Sequence, residues 1–396
     1  MDARKAVFAE LKTYATLGTQ LADERPISQV RFSPDSQYLA TGSWSGTAKI
    51  WDVPSCRCLG VFKGHGVERI GGLAWHPKAT ISQTKTEVNF ATGGADNLIH
   101  LWSIASLSDG ATKEPEPITT PLKTLSGHSL RVCRTAFHPS GRTLASASFD
   151  ETWRLWDIES GAELLTQEGH SKEVYAIAFQ GDGALLCSGG MDAIGRVWDL
   201  RSGKTAMVLD GHMKDILSID FAPNGHQIAT ASNDDSVRIW DMRTLKSVYT
   251  MAAHKATVSD LTFFRSEGGK FPFTLEQKKK PGQAQVNSNT GMDIDGVRKA
   301  EEKGEEEQEV VEPPLNGMYL ATAGYDGMVK FWSADDWQLV RGLSSEAGGK
   351  VMSVDLSKGS FILPSVRSRL TGADGKYLAS GEWARTFKLS SAEGQV

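Results

Sequence analysis

Six tryptophans, Trp51, Trp102, Trp156, Trp198, Trp240 and Trp332, each close a short strand-like run, and five of them have an aspartate six residues earlier. Those aspartates are Asp96, Asp150, Asp192, Asp234 and Asp326. Ahead of them stand His65, His128, His170, His212 and His254, each in a Gly-His or Ala-His pair, and the His to Asp step is 22 residues in the three uninterrupted copies. A unit of this size cannot bury its own apolar faces, so it must stack on its neighbours. The chain is therefore one repeat array, although 396 residues would on length alone allow two or three domains.

The cleanest copy, residues 127–158, shows what each unit contains. Alternating apolar positions in VCRTAF, TLASAS and TWRLWDI predict three half-buried strands separated by turn signals at HPSGR and FDE. A fourth strand precedes the next Gly-His, as in ELLTQEGH and TAMVLDGH. Four strands per repeat with Gly-His and Trp-Asp marks describe a propeller blade. The Asp of each tight turn can accept a hydrogen bond from the His, the His can reach a Ser or Thr, and that hydroxyl can reach the indole N–H. Such a chain satisfies polar groups whose burial unpaired would cost about 1–3 kcal/mol each.

The two terminal copies depart from the pattern. The first carries Ser45 in place of the Asp and Asp23 in place of the His; the last has Ala384 for the Asp, Ser390 for the Trp and no histidine, yet keeps its strand pattern. Counting both gives seven blades, with residues 15–22 supplying the missing outer strand and the two irregular blades meeting at the closure seam. Apolar positions 7, 8, 11 and 14 match one helical face. The expected division is a helical extension at 1–13, an all-β seven-bladed propeller at 14–390 and a tail at 391–396.

Composition narrows the function classes. No apolar run approaches the roughly 18 residues of a membrane span. The N-terminus lacks the apolar core of a signal peptide, which predicts an intracellular protein. Cys56, Cys58, Cys133 and Cys187 show no paired CxxC spacing, so neither a disulfide framework nor a metal site is expected. The net charge is −5, but residues 301–312 hold seven Glu and one Lys, leaving the body near +1. Bulk charge does not advertise a nucleic-acid binder. No P-loop, GxSxG elbow or HExxH is present, so no catalytic site and no cofactor is expected.

Extra residues fall at about 78–88, 106–120, 265–315 and 360–372. All lie between first and second or third and fourth strands, hence on one face of the disc. The charged, weakly apolar inserts at 265–315 and 106–120 are expected to be disordered, while FILPSVRSRLTG has the composition to dock onto something. The opposite face carries the short His loops and Asp turns. Its candidate partner-binding residues lie just before each turn aspartate or its replacement, Trp44, Phe149, Met191, Tyr325 and Trp383, and shortly after the histidines or at the matching place in the last copy, Arg69, Arg131, Tyr175 and Lys350. Aromatics and Arg are enriched at interface hot spots.

With its Gly-His and Trp-Asp marks the chain is identified as a member of the WD40 family. RPISQVRFSPDSQYLATGSWSGTAKIWDVPSC, TWRLWDIE, QEGHSKEVYAIAF, SGGMDAIGRVWDLRSGK and ARTFKLS further resemble the WD-repeat subunit of the U4/U6 small nuclear ribonucleoprotein, the pre-mRNA processing factor four family. The resemblance covers essentially residues 14–390 apart from the insertions. It implies a nuclear, non-enzymatic splicing scaffold that docks the pre-mRNA processing factor three protein and helps hold a spliceosomal cyclophilin and the U4/U6 RNA duplex. Departures are Ala384, Ser390 and the absence of the family's N-terminal splicing-factor motif. A competing reading starts from WDLR at 198–201 and WDMR at 240–243, which resemble the WDxR box of cullin-type ubiquitin-ligase substrate receptors.

Overall fold

The computed structural model describes residues 7–9, 11–53, 55–79, 84, 86–105, 115–265, 317–345, 349–358 and 377–391. They form seven antiparallel blades around a channel. The innermost strands of blades 1 to 7 are Ile27–Phe32, Ile70–Trp75, Val132–Phe137, Val174–Phe179, Ile216–Phe221, Val258–Phe263 and Val351–Leu356. Each blade then steps outward, as in blade 3 through Thr143–Ser148 and Trp153–Asp157 to Glu163–Gln167. Burial follows that order. The second strand TLASAS is buried almost throughout, whereas the outer strand of blade 4, KTAMVLD, is covered only at Met207 and Leu209.

The apolar core is divided among the joints between blades. Ala145, Ala147 and Trp153 of blade 3 meet Val174, Ile177, Phe179 and Trp198 of blade 4, and six similar clusters fill the remaining junctions. No blade owns a core, which is why the repeat must close on itself.

Closure comes where the sequence placed it. Ala15–Leu21 pairs antiparallel with Thr386–Ser391 as the outer strand of blade 7, from Ala15 opposite Ser391 to Leu21 opposite Thr386 with a shift of register between Thr16 and Gly18. The last strand includes Ser391, one residue past the expected boundary at 390. Residues 7–9 and 11, ahead of Ala15–Leu21, are helical, and Val7, Leu11 and Tyr14 are buried in the joint between blades 6 and 7, Tyr14 edge-on to Phe331 at 5.3 Å. The apolar stripe thus faces the ring.

One insertion departs from expectation. Within 106–120, Pro117–Ile118 forms a short parallel strand against Val61 and Phe62, adding a fifth strand to blade 1. Ile118 packs on the core beneath, and a Pro can open such a strand on an otherwise unpaired edge. Composition had suggested disorder for the whole segment. Residues 266–316 and 359–376, which include most of the acidic insertion and all of FILPSVRSRLTG, lie outside the described residues.

Candidate functional site

In five blades the expected hydrogen-bond chain is complete. In blade 3, His128 Nδ1 donates to Asp150 at 2.7 Å, Ser146 Oγ lies 2.7 Å from His128 Nε2, and Trp156 Nε1 donates to Ser146 Oγ at 2.8 Å. His170, Asp192, Ser188 and Trp198 repeat it in blade 4; His212, Asp234, Thr230 and Trp240 in blade 5. His65, Asp96, Thr92 and Trp102 in blade 2 and His254, Asp326, Thr322 and Trp332 in blade 6 complete the set. The aspartate also binds its own turn. Asp150 accepts the N–H of Thr152 and that of Ser129, the residue after the histidine. Burial pushes its carboxyl upward, but bonds from His128, Thr152 and Ser129 outweigh this and hold it well below the usual range. His212 and His254 are kept below the ordinary imidazole value by burial, despite their aspartates.

The residue after each turn aspartate, or its replacement, has a positive φ in all seven blades: Gly46, Asn97, Glu151, Ala193, Asp235, Gly327 and Arg385. The turn is therefore constant even where the aspartate is missing. In blade 1 the pair is exchanged, with Ser45 Oγ donating to Asp23, while Trp51 Nε1 still donates to Thr41 at 3.0 Å. In blade 7 Glu382, two residues before Ala384, restores a carboxylate. It accepts from Thr386 at 3.0 Å and pairs with Lys388 at 3.3 Å, both acid and amine nearly inaccessible. The sequence showed the loss of Asp, Trp and His here; the signal of the replacement was a Glu where other blades carry Gly or Ser.

Two residues before each blade's tryptophan, or before Ser390 in blade 7, stands a cation in six blades: Lys49, Arg154, Arg196, Arg238, Lys330 and Lys388. Blade 2 has His100 instead, its ring 4.4 Å from that of His65 and its Nε2 4.0 Å from Asp96. Burial and the neighbouring His65 lower His100 to about 4. His65, Asp96 and His100 hold potential ligand atoms within 4.8 Å of one another. Both nitrogens of His65 are already engaged by Asp96 and Thr92, so the cluster is a tetrad with an added ring.

The channel wall ties blades together through buried charge. Asp260 accepts from Arg31 at 3.0 Å, Ser218 at 2.8 Å and Ser353 at 2.6 Å, linking blades 1, 5, 6 and 7. Arg265 forks onto Asp220 at 2.6 and 3.1 Å. Asp355, which accepts the Phe32 N–H at 2.7 Å, is raised to about 6 by burial against the opposing pull of Arg31. A cavity of about 450 Å³ opens at this end, on the face of the insertions.

The other mouth gathers the predicted partner residues. A cavity of about 160 Å³ is lined by Trp44, Arg69, Arg131, Tyr175, Tyr325 and Trp383 among others. Trp44 and Trp383, from blades 1 and 7, meet edge to face at 4.7 Å. Arg69 lies over Trp44 at 4.8 Å, Arg131 over Phe149 at 3.6 Å, and Lys350 between Tyr325 at 5.0 Å and Trp383 at 5.6 Å. Phe149 is 6.4 Å from Tyr175, which Arg134 covers at 5.2 Å. Arg134 is a channel residue that the repeat pattern did not single out. Met191 is half-buried and anchored by its backbone N–H to Glu173; it is not among the cavity's lining residues. The arginines of the WDxR segments lie on the far face: Arg243 is forked onto Asp241 of its own turn at 2.7 and 3.1 Å, and Arg201 bonds Asp199 through its backbone N–H.

Comparison with known proteins agrees with this architecture. The repeat described as "WD domain, G-beta repeat" matches residues 14–52, 56–103, 119–157, 161–199, 203–241 and 311–333, over half of the chain. The chain is 39% identical over 146 residues to an uncharacterized WD repeat-containing protein of Schizosaccharomyces pombe, covering 37% of this chain and 29% of that protein. It is 33% identical over 161 residues to U4/U6 small nuclear ribonucleoprotein PRP4 of Saccharomyces cerevisiae, covering 40% and 31%. With human U4/U6 small nuclear ribonucleoprotein Prp4 it shares 43% over 72 residues, covering 18% and 14%. The matched segments thus span less than a third of each of these relatives. The repeat matches and the seven closed blades show that this chain belongs to the WD40 repeat family.

Proposed function

We propose that this chain is a nuclear, non-enzymatic scaffold of the U4/U6 small nuclear ribonucleoprotein that docks protein partners during pre-mRNA splicing. The observation that carries the reading is the similarity to proteins named U4/U6 small nuclear ribonucleoprotein in yeast and mammals. The fold supports it, because a rigid ring with one face of short, hydrogen-bonded loops presents side chains without paying for loop ordering on binding. On this reading the partners are the pre-mRNA processing factor three protein and, within the larger particle, a spliceosomal cyclophilin; Arg69, Arg131 and Lys350 supply any direct contact to U4/U6 RNA.

Tagged full-length chain is expected to recover U4 and U6 RNA and the processing factor three protein from nuclear extract. Recovery of a cullin and its adaptor without those RNAs would sink the proposal and favour the WDxR reading.

A further inference from the structure

If the His-loop face is where the scaffold docks its partner, the chemistry of the channel mouth selects that partner's composition. Three guanidinium groups, Arg69, Arg131 and Arg134, line the cavity and Lys350 stands at its edge, while none of the lining residues is an Asp or Glu. Among the described residues the ion-paired carboxylates of this face are the tetrad aspartates, bound to their histidines and turns, and at the seam Asp23 with Lys49 and Glu382 with Lys388. The cations rest on rings, and Arg131 Nε is buried without a hydrogen-bond partner. Such groups gain most from an anionic ligand.

The rim adds a second requirement. Val67, Leu130 and Met213, just after His65, His128 and His212, are 78%, 51% and 83% exposed, and Trp383 is 42% exposed. Single-stranded RNA would satisfy the cations and stack on the rings, but it would gain little from exposed aliphatic groups. A peptide bearing both carboxylates and apolar side chains matches all three features. We propose that the His-loop mouth binds an acidic, extended segment of a protein partner. An apolar side chain seats among Trp44, Tyr175, Tyr325 and Trp383, and flanking carboxylates meet Arg69, Arg131 and Lys350. This rests on the His-loop face being the docking face.

The test is fluorescence anisotropy on purified full-length chain, with a labelled random copolymer of glutamate and tyrosine, labelled polyglutamate and labelled polyuridylate. The copolymer should bind at low salt about tenfold more tightly than polyglutamate, and weaken as salt rises. Replacing Arg69→Glu together with Lys350→Glu should weaken it by about tenfold or more, and Trp383→Ala by severalfold. Arg243→Glu, on the far face, should leave it unchanged, with circular dichroism checking that all variants fold. No copolymer binding at low salt, equal affinity for polyglutamate, or indifference to the mouth substitutions would overturn the proposal. Polyuridylate that outcompetes the copolymer and is lost in the double variant would assign the mouth to RNA instead. Recovery of U4 and U6 RNA from extract is read independently, so the particle assignment and the peptide site can fail separately.

Discussion

Blades 2 to 6 and the seam blades 1 and 7 solve one packing problem in two ways. In the former, a carboxylate, an imidazole, a hydroxyl and an indole are linked in series, so each of these four groups brought under the loops has a partner. In blade 1 a serine donates to an aspartate across the same gap, and in blade 7 a glutamate–lysine pair fills it. The left-handed residue after the turn position is present in all seven. What the repeat must preserve is therefore the turn and a partner for the carboxylate buried beside it, whereas the particular residues can change. The solutions differ in cost, because an imidazole–carboxylate pair is braced by backbone N–H groups and an isolated buried ion pair is not.

The sharpest way to break the comparison is at Lys388. Lys388→Met strands Glu382, 1% exposed, and should cost about 3–5 kcal/mol in urea unfolding. Adding Glu382→Leu should recover most of that loss; if the double variant is as unstable as the single, the pair does more than neutralise itself. Asp192→Ala in blade 4 frees His170 Nδ1 and the Ser171 N–H and should cost about 2–3 kcal/mol, against less than about 1 kcal/mol for Ser45→Ala at the seam.

A pH series separates blade 2 from its neighbours. His100 stays neutral in the fold down to about 4, while the unfolded chain protonates near 6.5, so the unfolded state binds more protons in that window and stability falls as pH drops through it. The loss should be about 2 kcal/mol between about pH 7 and about pH 5, and His100→Arg, the residue type of blades 3 to 5, should flatten it. His212 and His254 act in the same direction over their own smaller windows. Asp355, raised to about 6, acts oppositely, losing stability as pH rises from about 4 through 6. Below about pH 4 the depressed tetrad aspartates take over, and thermal unfolding should become steeply acid-sensitive. The smallest effect probes the shared turn. Ala193→Gly in blade 4 and Arg385→Gly in blade 7 should each raise stability by about 0.5 kcal/mol, because both relieve a positive φ of 65° or 72°. Unequal effects would mean that the two turns carry different strain.

Most of this architecture is legible in the residues, since His, Asp and Trp at fixed spacing are also the groups whose hydrogen bonds hold the turns. The seam was readable as an absence at Ser45, Ala384 and Ser390. Its replacement was not, because Glu382 and Lys388 occupy positions that carry no mark in the repeat. His100 was overlooked for the same reason. Pro117–Ile118 was read from composition, which cannot show that an open strand edge lies within reach. At the mouth, the residue types could be picked out one repeat at a time, but the meeting of Trp44 with Trp383 and of Lys350 with two rings arises only when the ring closes.

That closure has a temporal side. Ala15–Leu21 is made before every other strand of the ring, and Thr386–Ser391, its strand partner among the described residues, after all of them. Throughout synthesis an edge bearing Leu17 and Leu21 must wait, while blades 1 to 6 acquire their own outer strands. The growing chain thus carries an open pairing surface until the last strand of the seventh blade has been made. A chain stopped short of Thr386 would keep most of its blades but could not hide that edge, which makes closure of the ring a physical check that all seven blades have been made.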